Sequence, residues 1–246
     1  MKNIKLLIEY DGSRYNGWQR LKNNSNTIQG KIENIISMMV GEPVNLIASG
    51  RTDSGVHARG QVANFHCTTL LSNREISNYI NGYLPEDIVV KDIEEVDGRF
   101  HSRYNCVQKK YSYYIYNGKL PCVFNRKYCL HLPEELDLIK ISKAMELFMG
   151  THDFIGFSSL KKTKKSTVRT IYCLEMNTSG KLISFDFIGD GFLYNMIRII
   201  MGSILEIGMD KKQLIDIEHV FITGNREEAG YTVPPHGLFL EQVYYD

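Results

Sequence analysis

The sequence predicts an α+β protein made of two halves, each with the element order β-α-β-β-α-β of ferredoxin-like folds and with mainly antiparallel sheets. Three observations predict it: strand-like alternation and helix-like spacing follow one another along the chain, the same order occurs twice, and neither half needs a long structureless insertion. With 246 residues, 43% of them hydrophobic, the chain can form one or two domains with a full core. We expect two domains, residues 1–105 and 106–246.

The first half shows clear signals for where its helices begin. Isoleucines at helical spacing follow Asn26 and Thr27, which suit the cap position of a helix. Ser72 and Glu75 have the spacing of a capping box, so a second helix is predicted to begin there. The predicted elements of this half are strand 4–10, helix 28–39, strand 44–49, loop 50–60, strand 61–67, helix 72–84 and strand 88–96.

The second half repeats this order. Alternation over residues 107–116 predicts a strand, and a hydrophobic stripe after Pro133 predicts a helix. Ser179 and Gly180 separate two alternating segments, as in a hairpin. The predicted elements are strand 107–116, helix 138–148, hairpin strands 168–176 and 181–188, helices 191–207 and 211–221, and strand 238–244.

Charge is balanced overall but locally segregated. The formal net charge is +1, which argues against a uniformly basic coat that binds nucleic acid. Residues 99–129 nevertheless contain seven basic residues and no acidic one, and residues 161–170 contain five more with no acid. Such runs are often only solvated faces, but aromatic residues are interleaved with the first run, which suits a surface that binds phosphates and stacks bases.

The cysteine and hydropathy patterns exclude several classes. Five cysteines without a C-x-x-C pair indicate neither a disulfide framework nor a zinc site, and no metal ligands are predicted. The N-terminus does not have the pattern of a signal peptide, and no apolar run reaches the roughly 18 residues of a membrane span. We expect a cytoplasmic protein with reduced thiols and no membrane partner.

The glycine-rich loop 50–60 is the first candidate site. Its glycines permit close approach of a ligand, so a rigid loop of this kind can direct Asp53 into a cleft. The alternative is a tight strand connection with solvated charges. A phosphate-binding loop is disfavoured because the spacing of that motif is absent and a central carboxylate repels phosphate. His57 has no second histidine at ligand spacing, which favours a structural role.

Arg198 lies in the predicted helix 191–207 among apolar residues on nearly every side. A buried arginine needs a carboxylate or other polar acceptors to offset its loss of hydration. Asp53 is the acid in the most comparable setting, so we expect the two side chains to pair and the carboxylate to stay ionised. The alternative is that Arg198 caps a carbonyl group or extends to solvent.

Tyr111 and Tyr113 lie two residues apart and therefore on one face of the predicted strand 107–116. Such pairs usually belong to a sheet core. The adjacent Lys109 and Lys110 favour a second interpretation, in which this strand contacts a nucleic acid substrate.

Together these segments resemble the tRNA pseudouridine synthase A family. Residues 51–58 (RTDSGVHA), followed by Gln61 and Val62, are similar to the family's signature. Further similar segments occur in the same order along the chain. They are YNGWQR at 15–20, FHSRY at 100–104, KYSY at 110–113, GTHDF at 150–154 with Phe157 and Ser158, VRTI at 168–171, residues 192–202, and PPHGL at 234–238.

The resemblance implies a pseudouridine synthase fold and an isomerase, without a cofactor, that acts as a homodimer on uridines 38, 39 and 40 of the tRNA anticodon stem-loop. Carried over residue by residue, it implies that Asp53 is the catalytic aspartate and Tyr111 contacts the target base. It further implies that Arg51 fills the space left by the flipped nucleotide, that Arg198 is the partner of the aspartate, and that Arg169 is another arginine of the active site.

Two positions depart from the family pattern. Asn64 stands where histidine is common, and the segment 189–191 is richer in glycine than usual. These departures put only the fine substrate preference in doubt. A non-catalytic RNA-binding module remains the alternative function, because it uses the same basic and aromatic surface without needing Asp53 for chemistry.

Overall fold

The computed structural model describes residues 1–22, 26–161 and 165–246, which form two compact units. Unit 1 comprises Met1–Val107 and Phe239–Asp246, and unit 2 comprises Gln108–Leu238. The predicted α+β class with mainly antiparallel sheets is confirmed. The predicted ranges 1–105 and 106–246 differ from these units chiefly in the last strand, which belongs to unit 1.

The elements follow one another in a regular order. They are β1 (Lys2–Tyr10), α1 (Ile28–Val40), β2 (Ile47–Ala48), β3 (His57–Cys67), α2 (Asn73–Tyr83), β4 (Ile88–Val96), β5 (Cys106–Tyr116), β6 (Leu130–His131), α3 (Leu138–Glu146), β7 (Gly150–Asp153), β8 (Val168–Ser179), β9 (Leu182–Gly189), α4 (Met196–Gly208), α5 (Leu214–Thr223) and β10 (Leu238–Tyr245).

In unit 1, β1 lies between β3 and β4 and is antiparallel to both, while β2 pairs with β3. The alternation of β1 buries Ile4, Leu6 and Ile8 completely, because every second side chain points to the same face of a sheet. The predicted capping box is present: Ser72 accepts from the Glu75 N–H, and the Glu75 side chain accepts from the Ser72 N–H. These helix and strand signals were therefore correct.

In unit 2, the strands have the order β5-β9-β8-β7, all antiparallel, and β6 pairs with β5 in parallel. The order β5-β9-β8 repeats the order β1-β3-β2 of unit 1, so the duplicated plan is visible in the hydrogen bonding of the strands. Unit 2 also contains a cluster of aromatic side chains that pack on one another at edge-to-face or tilted angles. They are Phe148, Phe154, Phe157 and Phe221.

The predicted loop 50–60 is shorter than expected, because β3 begins at His57. Ala58 pairs with Tyr10 of β1 on one side, and His57 and Ala58 pair in parallel with Phe239 and Leu240 of β10 on the other. The composition of residues 57–60 suggested a loop. Residues 57–60 form part of a strand because strand formation depends on the neighbouring strands, here β1 and β10, which are distant in sequence.

The predicted strand 44–49 is reduced to the two residues of β2. Side chains of α1 take the place of a strand partner for part of this segment. The Leu46 N–H donates to Glu33 (2.9 Å), the Leu46 carbonyl accepts from Gln29 (3.1 Å), and the Val44 N–H donates to Ser37 (2.9 Å). Buried backbone groups need partners, and helix side chains satisfy that need here without a sheet.

The helix predicted over 191–207 begins later, at Met196. Asn195 has a φ of 61°, a left-handed conformation that a right-handed helix cannot include. The hydrophobic pattern in the sequence begins before the helix because two earlier residues are also packed. Phe192 contacts the ring of Tyr111, and Leu193 is only 9% exposed. A buried segment that is not helical can thus show the same hydrophobic pattern as a buried helix.

Candidate active site

The aspartate loop, residues 51–56, joins the segment before it to β3. The Val56 N–H donates to the Asp53 carbonyl (3.1 Å), which closes a turn, and Gly55 within that turn has a φ of 78°. Arg51 is exposed, Thr52 is buried and Asp53 is half-buried. The loop therefore presents a cation and a carboxylate two residues apart.

The segment 12–18 holds this loop through hydrogen bonds. The Trp18 N–H donates to the Thr52 carbonyl (3.1 Å), and the Ser54 hydroxyl donates to the Tyr15 carbonyl (3.0 Å). The hydroxyls of Tyr10 and Thr52 also share a buried hydrogen bond of 2.7 Å. Burial raises the pKa of Tyr10, so its hydroxyl stays neutral at physiological pH. Asp53 thus has a hydrogen-bonded residue on each side.

His57, at the end of the loop, is a buried structural residue. Its Nδ1 accepts from the Gly12 N–H (3.1 Å), and its ring stacks on Phe239 at 4.5 Å. The same Nδ1 also lies 3.1 Å from the Asp11 carboxylate oxygen Oδ1. No cluster of three potential metal ligands occurs among residues 1–22, 26–161 and 165–246.

Gly17 is a position where added bulk would press on the backbone of the aspartate loop. Its φ is +85°, and a Cβ would lie 2.8 Å from the Thr52 carbonyl oxygen and 3.1 Å from the Asp53 carbonyl carbon. We expect Gly17→Ala to lower the free energy of unfolding by about 1 to 3 kcal/mol, through backbone strain and overpacking.

A matched control exists for this substitution. Gly41 also has a positive φ of +77°, but a Cβ there would meet nothing within 4 Å. Gly41→Ala should therefore show the backbone strain alone. Urea unfolding of both variants separates the two effects, and equal losses would contradict a tight contact at Gly17.

Tyr111 lies in β5 with its side chain in the interior of unit 2. It is 7% exposed, opposite Phe187 of β9, and the edge of its ring meets Phe192 at 5.4 Å and 82°. Lys110, on the other face of the strand, forms an ion pair with Asp186 (3.0 Å). Part of the Lys110 charge is therefore compensated within the protein. Lys109 precedes it in β5, opposite Gly189.

Arg198 is half-buried in the first turn of α4 and is held by two acceptors in unit 2. Its Nε donates to the Val233 carbonyl (2.7 Å), and its Nη1 donates to the Asn195 side-chain oxygen (2.9 Å). Asn195 in turn donates to the Ser159 hydroxyl (3.0 Å). The carbonyl capping that we considered for Arg198 is thus present. These two bonds fix the plane of the guanidinium.

The strap, residues 230–234, carries the carbonyl that orients Arg198. The Gly230 N–H donates to Ser203 of α4 (2.9 Å), and Arg226 donates to the Gly230 carbonyl and the Thr232 hydroxyl, each at 2.9 Å. At its end the Pro234 carbonyl accepts from the Tyr113 hydroxyl (2.8 Å). The buried Tyr113 therefore has a structural role in unit 2, because its hydroxyl holds the end of the strap.

His236 follows the strap and donates through Nε2 to the Cys129 carbonyl (3.1 Å), so that nitrogen carries a proton. Burial lowers the pKa of His236, and the charge of Arg198 lowers it further. The unfolded chain, in which a histidine has a pKa of about 6.5, therefore binds a proton before the folded protein does as the pH falls.

We expect the free energy of unfolding of the native chain to fall more steeply between about pH 7 and about pH 5 than that of His236→Gln, because glutamine keeps a donor but does not titrate. Urea unfolding at several pH values measures both curves. Parallel curves would contradict a depressed histidine pKa.

Arg169, in β8, donates to the carbonyls of Ser166 (3.1 Å) and Val168 (2.6 Å). It lies beside the glycine-rich turn, since a Cβ on Gly191 would come 3.6 Å from its Nε. An alanine at position 191 would make only an ordinary contact there. Of the second basic run, Lys162 and Lys164 lie outside the described residues.

The structure thus places the predicted residues in two groups. Arg51 and Asp53 share the aspartate loop of unit 1, while unit 2 carries Tyr111 with the two lysines on β5, Arg198 on α4 and Arg169 on β8. Sequence reasoning missed the supporting residues. Tyr10, Thr52 and Ser54 in unit 1 and Val233 in unit 2 act through contacts that are distant in sequence. Asn195 bonds Arg198 three residues away, and Arg226 bonds Gly230 four residues away; the hydrophobic pattern reports neither bond.

Comparison with known proteins shows the family of this chain. Residues 6–105 and 144–246 match the sequence model of the tRNA pseudouridine synthase family. Proteins named tRNA pseudouridine synthase A from Bacillus sp. (strain KSM-64) and Acetivibrio thermocellus are each 44% identical to this chain, and that of Clostridium kluyveri is 45% identical. Each alignment covers 100% of this chain and 100% of the relative. The chain belongs to the tRNA pseudouridine synthase family.

Proposed function

We propose that this protein isomerises uridine to pseudouridine in the anticodon stem-loop of tRNA, at positions 38, 39 and 40, with Asp53 as the catalytic carboxylate. The observation that carries the proposal is the half-buried Asp53, whose neighbours Thr52 and Ser54 are each hydrogen-bonded to the segment 12–18. A carboxylate on a loop held in this way is preorganised for chemistry.

The reaction needs one well-placed carboxylate and no external reagent. The bond between N1 of the uracil and C1′ of the ribose breaks, the base turns, and its C5 forms a bond to the same C1′, while the proton on C5 is lost and one is gained at N1. Asp53 can attack C1′, attack C6 of the ring, or stabilise an oxocarbenium-like centre and accept a proton. All three routes require the ionised carboxylate, and the proposal includes no cofactor.

The other site residues serve access to the base. A uridine within a stem-loop must leave its stack, which costs a few kcal/mol. In the proposal Arg51, exposed on the same loop as Asp53, fills the space left behind, and Tyr111 contacts the extruded uracil. Arg198 pairs with the carboxylate of Asp53 and keeps it charged. Arg169 is proposed as a further arginine of the site.

The remaining surface binds the rest of the tRNA. The basic runs at 99–129 and 161–170, which include Lys109 and Lys110, contact phosphates, so affinity should fall as salt rises. We further propose that the protein acts as a homodimer in the cytoplasm. No helix among the described residues has the length and apolar character needed to cross a membrane.

One assay tests the proposal directly. Purified protein is incubated with unmodified tRNA, and pseudouridine is then mapped by primer extension after carbodiimide treatment. We expect stops that report positions 38, 39 and 40. If the protein binds tRNA but leaves the anticodon arm unmodified, the non-catalytic RNA-binding module becomes the better description.

A further inference from the structure

Residues 97–105 form a loop in unit 1 between β4 and β5, here called the aromatic loop. Tyr104 on this loop is 79% exposed, and its ring stacks on the ring of His101 with centroids 4.1 Å apart and planes at 27°. One face of Tyr104 is therefore covered by the imidazole. A large flat side chain that is held in one orientation and is still mostly exposed suits a ligand with a flat face.

The stacked pair is fixed by hydrogen bonds within the loop. The His101 Nδ1 accepts from the N–H groups of Arg103 (3.2 Å) and Tyr104 (3.3 Å), and the His101 N–H donates to the Asn105 side chain (2.8 Å). The Tyr104 N–H also donates to the His101 carbonyl at 3.1 Å. The backbone at Tyr104 and the imidazole on which its ring stacks are thus held in place without a ligand, which lowers the entropic cost of binding one.

A buried polar network attaches the loop to the sheet. Asn64 of β3 is fully buried and makes four bonds: it donates to Asn3 (2.9 Å) and the Phe100 carbonyl (3.3 Å), and it accepts from the N–H (2.9 Å) and hydroxyl (2.7 Å) of Ser102. The Ser102 carbonyl accepts from the Tyr245 hydroxyl (2.8 Å). A network this completely satisfied favours a single loop conformation.

The charges on the loop indicate the class of ligand. Arg99 and Arg103 are both exposed, one on each side of His101, and the acidic Asp97 at the start of the loop has its carboxylate bonded to the Arg99 N–H (2.8 Å). Two exposed cations on the same loop as an exposed aromatic ring match a nucleotide, with its phosphate on the arginines and its base on the ring. A base can reach that ring only if it is unpaired or lies at the end of a stack.

We propose that the aromatic loop is a stacking site for one unpaired or helix-terminal nucleobase of the RNA substrate, with Tyr104 as the platform and Arg99 and Arg103 on the adjacent phosphates. The proposal rests on the proposed function in that the RNA is tRNA, and it adds a contact distinct from the uridine that reacts. Tyr104 is a binding residue here and has no part in the chemistry.

The test measures the dissociation constant of unmodified tRNA over a series of salt concentrations. Tyr104→Ala should weaken binding about 10-fold, in line with the loss of one stacked base, and should leave the slope of log Kd against log salt unchanged because no cation is lost. Tyr104→Phe should bind like the native chain. Arg103→Gln should reduce the magnitude of the slope by about 1.

Tyr83→Ala is the matched control. Tyr83 is also exposed (62%) and packs on a neighbouring ring, that of Tyr79 at 4.9 Å, but it is followed by Glu86 and Asp87 instead of arginines. This variant should bind tRNA normally. The proposal fails if Tyr104→Ala binds like the native chain, if Tyr104→Phe is as weak as Tyr104→Ala, or if Tyr83→Ala is equally weak.

Two further measurements separate this proposal from others. Sedimentation shows whether Tyr104→Ala changes the oligomeric state; a change without loss of affinity would assign the loop to a contact between subunits and overturn the proposal. In assays of pseudouridine formation, the KM of Tyr104→Ala for tRNA should rise about 10-fold, in line with its weaker binding. If the native chain forms no pseudouridine while Tyr104→Ala still weakens binding, the proposed catalysis fails and the stacking site stands.

Discussion

The Asp53→Asn protein is expected to fold normally, to bind tRNA with unchanged affinity, and to lose pseudouridine formation by at least about 10⁴-fold. Asparagine has nearly the same shape, so the turn closed by Val56 and the bonds of Thr52 and Ser54 stay intact. What is lost is a negative charge and a nucleophilic oxygen, and each of the three routes needs one or the other.

Three measurements interpret this result. Urea unfolding checks that the free energy of unfolding is unchanged, filter binding gives the tRNA affinity, and primer extension gives the product. Asp92→Asn, an exposed position on β4, serves as the control and should behave like the native chain. Appreciable turnover by Asp53→Asn would remove the carboxylate from the mechanism and favour the binding-module alternative.

Arg198→Met is expected to slow the reaction by about 10²- to 10³-fold, the usual cost of removing one charged donor from an active site. If Arg198 pairs with Asp53, its positive charge favours the ionised carboxylate. Removing it makes the carboxylate harder to ionise, so the acid limb of the pH–rate profile should move to higher pH.

A comparison with Arg198→Lys distinguishes charge from geometry. Lysine keeps the cation but cannot reproduce both the bond to Val233 and the bond to Asn195, because its ammonium group lacks the planar fork of arginine. We expect this variant to be slow while its acid limb stays near that of the native chain. A profile with an unshifted acid limb in Arg198→Met would contradict the pairing with Asp53.

Local patterns were sufficient wherever a signal depends on neighbours in sequence. The alternation of β1, the helical spacing of α1 and the capping box of α2 were predicted correctly, because each depends on side chains within a few residues of one another. The motif around Asp53 was also recognisable from its own residues. In contrast, the start of β3 at His57 depends on β10, almost two hundred positions later in the chain.

The active-site residues show the same division. Arg198 was singled out because a cation among apolar residues is unusual. Its acceptors at Val233 and Asn195 were not predictable, since one lies on the strap and the other adopts a left-handed conformation at the helix start. Lys110 was predicted as a phosphate contact, and its ion pair with Asp186 became visible only with the register of β5 and β9.

The sequence by itself determined the α+β class, the repeated order of elements and the family. It also identified the candidate residues of the active site. The tertiary structure alone decided how the aspartate loop is held by the segment 12–18, which carbonyl orients Arg198, and how Asn64 and Tyr245 anchor the aromatic loop. The physical reason is range. Propensity, capping and periodicity act over a few residues, whereas the hydrogen bonds that aim a side chain join residues whose separation only the folded chain removes.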